Sequence, residues 1–211
     1  MNTLELLKCS PVMPVIVIQD VDTAVHLARA LLAGNIRTLE VTLRSDVALA
    51  AIRAIRDQVP DALVGAGTVR TPQQLDAALQ AGAQFVVSPG LTPELSKAAL
   101  RSGIPFLPGV ATASEAMQAA DQGFVVQKLF PAQAVGGTAL LKAWYGPLPD
   151  LVFCPTGGID LYNMGAYLSL PNVACVGGSW LTPKQAIHDA QWQLITELAS
   201  QACKIARDCK S

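Results

Sequence analysis

The chain has 211 residues, of which 51% are hydrophobic, and its 15 basic and 16 acidic side chains give a formal net charge of -1. This composition excludes an intrinsically disordered protein, and the near-zero charge argues against nucleic acid or an acidic membrane surface as the main partner. The length fits one domain over residues 1–211, which can bury roughly 70% of the surface of its unfolded chain without metal or disulfide support.

The N-terminal segment MNTLELLKCSP has no basic region followed by an apolar core, so it predicts a short helix and not a secretory signal. The longest apolar runs have the length of strands, which is too short to cross a bilayer. The five cysteines include no C-x-x-C pair, which favours reduced thiols in the cytoplasm over a disulfide framework. His26 and His188 lack the spacing of metal ligands, so we expect both on helix surfaces.

Short apolar runs alternate with longer stretches of helical periodicity along the whole chain, which is the pattern of a parallel sheet with crossover helices. The predicted strands cover residues 12–18, 38–43, 63–67, 85–88, 106–109, 125–129, 151–155 and 173–177. The predicted helices begin near Asp22, Asp46, Pro72, Thr92, Ser114, Gly137 and Tyr162, and a last helix covers residues 183–208. Eight such units favour a closed (β/α)8 TIM barrel. A doubly wound open sheet is the alternative, although no G-x-G-x-x-G motif opens the first helix.

The second predicted strand carries two charged side chains on one face. Alternation along TLEVTLR separates Leu39, Val41 and Leu43 from Thr38, Glu40, Thr42 and Arg44. The apolar face must meet the helices, so Glu40 and Arg44 are predicted to point into the barrel, where an unpaired charge is costly. An ion pair between these two residues that closes a barrel layer and a role in catalysis are both open interpretations.

The sixth predicted strand brings a lysine into the same interior. Alternation along VVQKLFPA places Val126, Lys128 and Phe130 on one face. A lysine is almost never fully buried without a reason. Lys128 is either a solvated residue at a strand end or an amine nucleophile, which apolar surroundings and the charge of Arg44 would help to keep neutral. The other lysines fall on predicted helices and are expected to be solvated: Lys8, Lys97, Lys142, Lys184, Lys204 and Lys210.

Glycine pairs follow the last two predicted strands. They lie in the segments Pro155-Thr156-Gly157-Gly158-Ile159 and Gly177-Gly178-Ser179-Trp180. Glycine lets backbone N–H groups approach an anion closely, and barrels commonly bind phosphate in these two loops. Together the pairs predict a phosphate site. A further pair, Gly136-Gly137, is either a helix start or another phosphate contact.

Two more residues lie at the predicted mouth of the barrel. Thr68 follows the third strand on the predicted interior parity of Val64 and Ala66, and its hydroxyl could bind a carboxylate. Pro89 follows the fourth strand, where it would shape a loop that lines the mouth.

Six segments in this order resemble the bacterial 2-keto-3-deoxy-6-phosphogluconate aldolases, the KDPG/KHG aldolase family: EVTLRS at 40–45, VGAGTV at 64–69, SPGLT at 88–92, KLFPA at 128–132, PTGGI at 155–159 and GGSWL at 177–181. The resemblance covers essentially the whole chain. It implies a (β/α)8 barrel, a class I aldolase that uses no cofactor, and a homotrimer. Its partner would be a small keto-acid sugar phosphate, with neither nucleic acid nor membrane involved.

The resemblance also implies roles for individual residues. Lys128 would form the Schiff base with the C2 ketone, and Glu40 would be the general acid/base, acting through a bound water. Arg44 and Thr68 would bind the pyruvyl carboxylate, and Phe130 and Pro89 would form the walls of the site. The residues that would bind the phosphate are Thr156, Gly157, Gly158, Gly178 and Ser179. Ser45 stands where the family suggests Thr, and Leu129 where it suggests an aromatic residue. Neither departure removes a group that the chemistry needs.

The leading hypothesis is reversible cleavage of 2-keto-3-deoxy-6-phosphogluconate to pyruvate and D-glyceraldehyde 3-phosphate, with cleavage of 4-hydroxy-2-oxoglutarate as a second reaction. Within the same chemistry, the 6-phosphogalactonate epimer is an alternative substrate. A different alternative is a phosphate-binding barrel enzyme without a Schiff base that uses Glu40 alone. A third is a sugar-phosphate-binding protein without catalysis. The sequence leaves the stereochemical preference undecided.

Overall fold

The computed structural model describes residues 1–209, in which strands and helices alternate as predicted. The strands are β1 (Val12–Ile16), β2 (Thr38–Thr42), β3 (Leu63–Gly67), β4 (Val86–Val87), β5 (Phe106–Leu107), β6 (Gly109–Val110), β7 (Val126–Leu129), β8 (Val152–Pro155) and β9 (Val176–Gly178). The helices are α1 (Thr3–Lys8), α2 (Val21–Ala33), α3 (Ala48–Gln58), α4 (Pro72–Gln80), α5 (Pro93–Ser102), α6 (Ala113–Asp121), α7 (Gly137–Tyr145), α8 (Met164–Leu168), α9 (Lys184–His188) and α10 (Trp192–Asp208).

The strands form two parallel sheets that curl around a common interior. One sheet has the order β5-β4-β3-β2-β1-β9, and the other has the order β6-β7-β8. The fifth predicted strand is divided at Pro108 into β5 and β6, because proline has no amide hydrogen for a ladder. Isolated parallel bridges, Phe153 with Val173 and Thr156 with Gly177, connect β8 with the β9 segment. Apart from the pairing of β1 with β9, which joins the first strand to the last, neighbours within each sheet follow the chain order without the reversal of a doubly wound sheet.

Apolar side chains are buried on both faces of this curled sheet. Leu39, Val41 and Val64 belong to the larger cluster, which the strands share with the surrounding helices. The concave face has a second cluster, to which α1 contributes Leu6 and Leu7 at 1% and 0% exposure. The other buried members of this cluster are Met13, Phe85, Val87, Leu107, Val126, Cys154 and Cys175. The predicted N-terminal helix therefore covers the amino ends of the strands.

The prediction of one continuous helix over residues 183–208 was wrong, because this segment forms two helices, α9 and α10. Ala190 between them adopts a left-handed conformation with φ 52°. The N–H groups of Ala190 and Gln191 donate to the carbonyl groups of Ile187 and Ala186, which is the paired hydrogen bonding that ends a helix. Glycine usually occupies this position, so alanine gave the sequence no visible stop signal.

Several surface predictions can be compared with the described residues. Gly136 and Gly137 form the start of α7, with φ angles of 119° and 56°. His26 and His188 are exposed on α2 and α9, as predicted. Within residues 1–209, no group of three or more His, Cys, Asp or Glu side chains could hold a metal ion, and no helix is long and apolar enough to span a membrane.

Candidate active site

The centre of the candidate site is a buried contact between Lys128 and Glu40. Nζ of Lys128 donates a hydrogen bond to Oε1 of Glu40 across 3.3 Å, and the two side chains are 7% and 2% exposed. The residues lie on β7 and β2, which belong to different sheets. Both predicted interior positions are therefore confirmed. The attraction between the two charged groups offsets part of the free-energy cost of removing each of them from water.

Glycines make room for this pair. Glu40 pairs with Gly65 in the β2–β3 ladder, and Lys128 pairs with Gly109 in the β6–β7 ladder. At Gly67, the last residue of β3, a Cβ atom would overlap the carboxylate of Glu40. The Glu40 side chain therefore occupies the space that any other residue at 67 would fill. The close approach makes glycine a requirement at this position.

Phe130 and Pro89 lie at the edge of the site. The ring centroid of Phe130 is 5.3 Å from Nζ of Lys128, and Phe130 is 36% exposed. Both residues line a cavity of about 100 Å³. A Cβ on Gly109 would overlap the carbonyl of Pro89, so this loop sits tightly against β6. The two residues predicted to wall the site thus share one rim.

Arg44 does not form the ion pair with Glu40 that was one interpretation of this strand, because the carboxylate contacts Lys128 instead. Arg44 is exposed, and its Nε donates to Oγ1 of Thr42 at 3.1 Å. The hydroxyl of Thr42 donates in turn to the carbonyl of Ile16 at 2.8 Å. Sequence reasoning gave Thr42 no role, although its place on the polar face of β2 was a usable signal.

The predicted parity of Thr68 was wrong. Val64 and Ala66 pack in the outer cluster, and the concave face of β3 carries Gly65 and Gly67. Thr68 itself is half-buried and left-handed, with φ 60°, so the alternation of the strand ends before it. Thr68 directly follows Gly67, which lies against the carboxylate of Glu40.

The first glycine loop follows β8. Thr156 is only 5% exposed, whereas the next residues turn outward, with φ angles of 102° at Gly157 and 76° at Gly158. These left-handed conformations strongly favour glycine. Within residues 1–209, no hydrogen bond is donated by the amide of Gly157 or Gly158. Both N–H groups are therefore open to an anionic ligand.

The second glycine loop lies beside the first, because Thr156 bridges to Gly177. A Cβ on Gly178 would overlap the ring of Trp180, which folds over the backbone there. Ser179 is exposed and lines a cavity of about 720 Å³ together with Arg44. Lys128 and Glu40 do not line this cavity, but Val15, which pairs with Glu40 in the β1–β2 ladder, does line it.

Comparison with known proteins shows the family of this chain. The profile described as KDPG and KHG aldolase matches residues 4–198. The chain belongs to the KDPG and KHG aldolase family. A 2-dehydro-3-deoxy-phosphogluconate aldolase of Pseudoalteromonas atlantica is 54% identical over 192 residues, which are 91% of this chain and 89% of that protein. A KHG/KDPG aldolase of Escherichia coli is 50% identical over 202 residues, covering 96% and 95% of the two chains.

A solved structure of the same family is similar over nearly its whole length. The KDPG aldolase from Legionella pneumophila, with pyruvate captured at low pH as a covalent carbinolamine intermediate, has a TM-score of 0.94 and 49% identity. The match covers 96% of this chain and 98% of that chain. The resemblance inferred from six short segments is thereby confirmed as family membership.

The departures from the family pattern have little bearing on the buried pair. Leu129, which replaces an expected aromatic residue, is fully buried in the outer cluster. It therefore packs against the helices and does not face Lys128. Ser45 has a buried hydroxyl oxygen with no hydrogen-bond partner among the described residues.

Proposed function

We propose that this chain is a class I aldolase that reversibly cleaves 2-keto-3-deoxy-6-phosphogluconate to pyruvate and D-glyceraldehyde 3-phosphate. The observation that carries the proposal is the buried amine of Lys128, 3.3 Å from the carboxylate of Glu40. An amine in such a site can act as a nucleophile toward a ketone, and a carboxylate at hydrogen-bond distance can transfer the protons. The names of the family members and the carbinolamine trapped in the Legionella relative support the same chemistry here.

In the proposed reaction, the ammonium group of Lys128 first passes a proton to Glu40. The resulting neutral amine attacks the C2 carbonyl carbon and forms a carbinolamine. Glu40, acting directly or through water, delivers the proton with which the hydroxyl leaves as water, and a protonated imine results. Glu40 then accepts the proton of the C4 hydroxyl. The C3–C4 bond breaks, its electrons neutralise the imine as an enamine, and the aldehyde product departs. Protonation of the enamine at C3 and hydrolysis release pyruvate and restore Lys128.

The two ends of the substrate have separate proposed contacts. Arg44 and Thr68 would hold the pyruvyl carboxylate, because Arg44 follows β2, which carries Glu40, and Thr68 follows the neighbouring strand β3. The amides of the Gly157–Gly158 loop, with the hydroxyl of Ser179, would hold the phosphate. Thr156 and Gly178 would complete this end. Support comes from the open N–H groups of the first loop and from the cavity that Arg44 and Ser179 share.

We further propose that the two sheets are arcs of one closed (β/α)8 barrel in a single-domain enzyme. The contact of Lys128 with Glu40 across the sheets and the two bridges beside β9 support closure. The family resemblance supports a homotrimer, and the cysteine pattern supports a cytoplasmic location. Light scattering should give a mass of three chains of 22.1 kDa each.

Borohydride reduction in the presence of pyruvate tests the mechanism. We expect a reduced pyruvyl adduct on the peptide that contains Lys128, and neither adduct nor turnover in Lys128→Met. The matched control, Lys97→Met, removes an exposed lysine of α5 and should leave both unchanged. Turnover retained by Lys128→Met would instead favour a barrel enzyme without a Schiff base. Values of kcat/KM for the gluconate and galactonate epimers and for 4-hydroxy-2-oxoglutarate then rank the substrates.

A further inference from the structure

A buried tyrosine outside the reacting groups is connected to the first glycine loop. Tyr167 on α8 is only 2% exposed, and its hydroxyl donates a hydrogen bond to Oε1 of Gln133 at 2.8 Å. Burial raises the pKa of the Tyr167 phenol, so the hydroxyl stays protonated as a donor. A hydroxyl in this environment needs a partner, and Gln133 supplies it.

Gln133 in turn supports the glycine loop. Its N–H donates to the carbonyl of Gly157 at 3.0 Å. Its side chain packs against Gly158, where a Cβ would lie 2.5 Å from Cβ of Gln133. Because Gln133 belongs to the loop that follows Lys128 on β7, it joins the lysine strand to the loop after β8.

Asn163 holds the same loop from a second side. Its Nδ2 donates to the carbonyl of Gly158 at 2.9 Å, while its Oδ1 accepts the N–H of Asp160 at 3.0 Å. The carbonyl groups of Gly157 and Gly158 are thus both bound within the protein, whereas their amides donate no hydrogen bond among the described residues. Because each peptide group is planar, the bound carbonyl of Gly157 sets the direction of the Gly158 N–H, and the carbonyl of Thr156, which accepts the N–H of Ala132 at 2.8 Å, sets that of the Gly157 N–H.

We propose that Tyr167 is a positioning residue for the phosphate end of the substrate. Its hydroxyl fixes Gln133, which together with Asn163 holds the Gly157–Gly158 loop in its phosphate-binding conformation. Donors that are already oriented need no reorganisation when the anion binds. This inference rests on the proposed function and assigns a role to residues that touch neither the ketone nor the phosphate.

The test compares Tyr167→Phe with Tyr162→Phe. Both variants lose one hydroxyl, but Tyr162 is 95% exposed and serves as the matched control. We expect Tyr167→Phe to raise KM for the phosphorylated substrate and the dissociation constant of inorganic phosphate, each by about three- to tenfold, as for the loss of one neutral hydrogen bond. Turnover of 4-hydroxy-2-oxoglutarate and pyruvate trapping on Lys128, which involve no phosphate, should not change.

Gln133→Met provides a second variant that leaves the buried ring intact. It should reproduce the Tyr167→Phe effect, and the double variant should show no additional loss, because both remove the same hydrogen bond. An unchanged phosphate dissociation constant in both single variants would overturn the inference. Equal losses with phosphorylated and unphosphorylated substrates would also overturn it, since they indicate a general structural role. Phosphate binding is measured by calorimetry and needs no turnover, so it tests the role of Tyr167 independently of catalysis. Failure of the wild-type protein to trap pyruvate would instead reject the proposed function.

Discussion

The two ends of the parallel strands hold opposite kinds of side chain. At the amino ends, Leu6 and Leu7 of α1 pack with apolar residues such as Phe85 and Leu107. Further along the strands, Glu40 and Lys128 form a buried charged pair, and glycine loops follow β8 and β9. Dense apolar packing suits stability, whereas a charged and glycine-rich region suits binding and proton transfer. The apolar amino ends of the strands thus contribute mainly to stability, whereas the charged and glycine-rich region further along them is suited to activity.

Replacing Glu40 by Gln should produce the largest loss at the charged end. The amide keeps the size of the side chain but cannot accept a proton, so kcat should fall by about 10² to 10⁴. Lys128 keeps its amine, and pyruvate trapping should still mark that residue, at a lower rate. Steady-state kinetics and peptide mapping measure the two effects.

The control for this variant is Glu94→Gln, an exposed residue in the first turn of α5. It should retain wild-type kcat. Thermal unfolding of both variants establishes that they are folded at the assay temperature. A Glu40→Gln protein with full kcat would reject this carboxylate as the acid/base group.

Replacing Leu7 by Ala tests the apolar end. Leu7 is fully buried, so the cavity left behind should lower the free energy of unfolding by about 2–5 kcal/mol. Values of kcat/KM measured well below the unfolding temperature should equal those of the wild type. Leu100, which is 54% exposed, is the comparison site, and Leu100→Ala should change stability by no more than about 0.5 kcal/mol. A large kcat/KM loss in folded Leu7→Ala would break the proposed separation of the two ends.

Of these three substitutions, the one in the phosphate loops has the smallest expected effect. Ser179→Ala should raise KM for the phosphorylated substrate by about ten- to a hundredfold, because a hydrogen bond to a charged group is worth about 1.5–3 kcal/mol. Turnover of 4-hydroxy-2-oxoglutarate provides the internal control and should not change. If both substrates lose equally, Ser179 does not contact the phosphate.

The face of a strand could be predicted where a charge decided it, and not elsewhere. On β2, Glu40 and Thr42 alternate with Leu39 and Val41, and a carboxylate has no place among the helices. On β3, the same reasoning placed Val64 inward, because small residues on the other face carried no signal. Parallel sheets are buried on both faces, so hydrophobicity alone does not distinguish them.

Contacts between distant segments were the least predictable part of the site. The sequence predicted that Glu40 and Lys128 share an interior, but their direct contact joins residues 88 positions apart. The Tyr167–Gln133 hydrogen bond joins residues 34 positions apart, and neither residue belongs to a recognisable motif. Local patterns specify which way a side chain points, whereas the partner is set by how the strands and loops come together.

Among residues 1–209, helix α1 closes the interior on the side of the amino ends of the strands. Leu6 and Leu7 occupy the amino ends of the strands, so a molecule that reaches Lys128 arrives from the loop side and departs in the same direction. In the proposed reaction the fragment bound covalently to Lys128 is the inner one, and the phosphorylated aldehyde lies between it and solvent. The aldehyde must then be released before pyruvate, and synthesis in the reverse direction must begin with pyruvate.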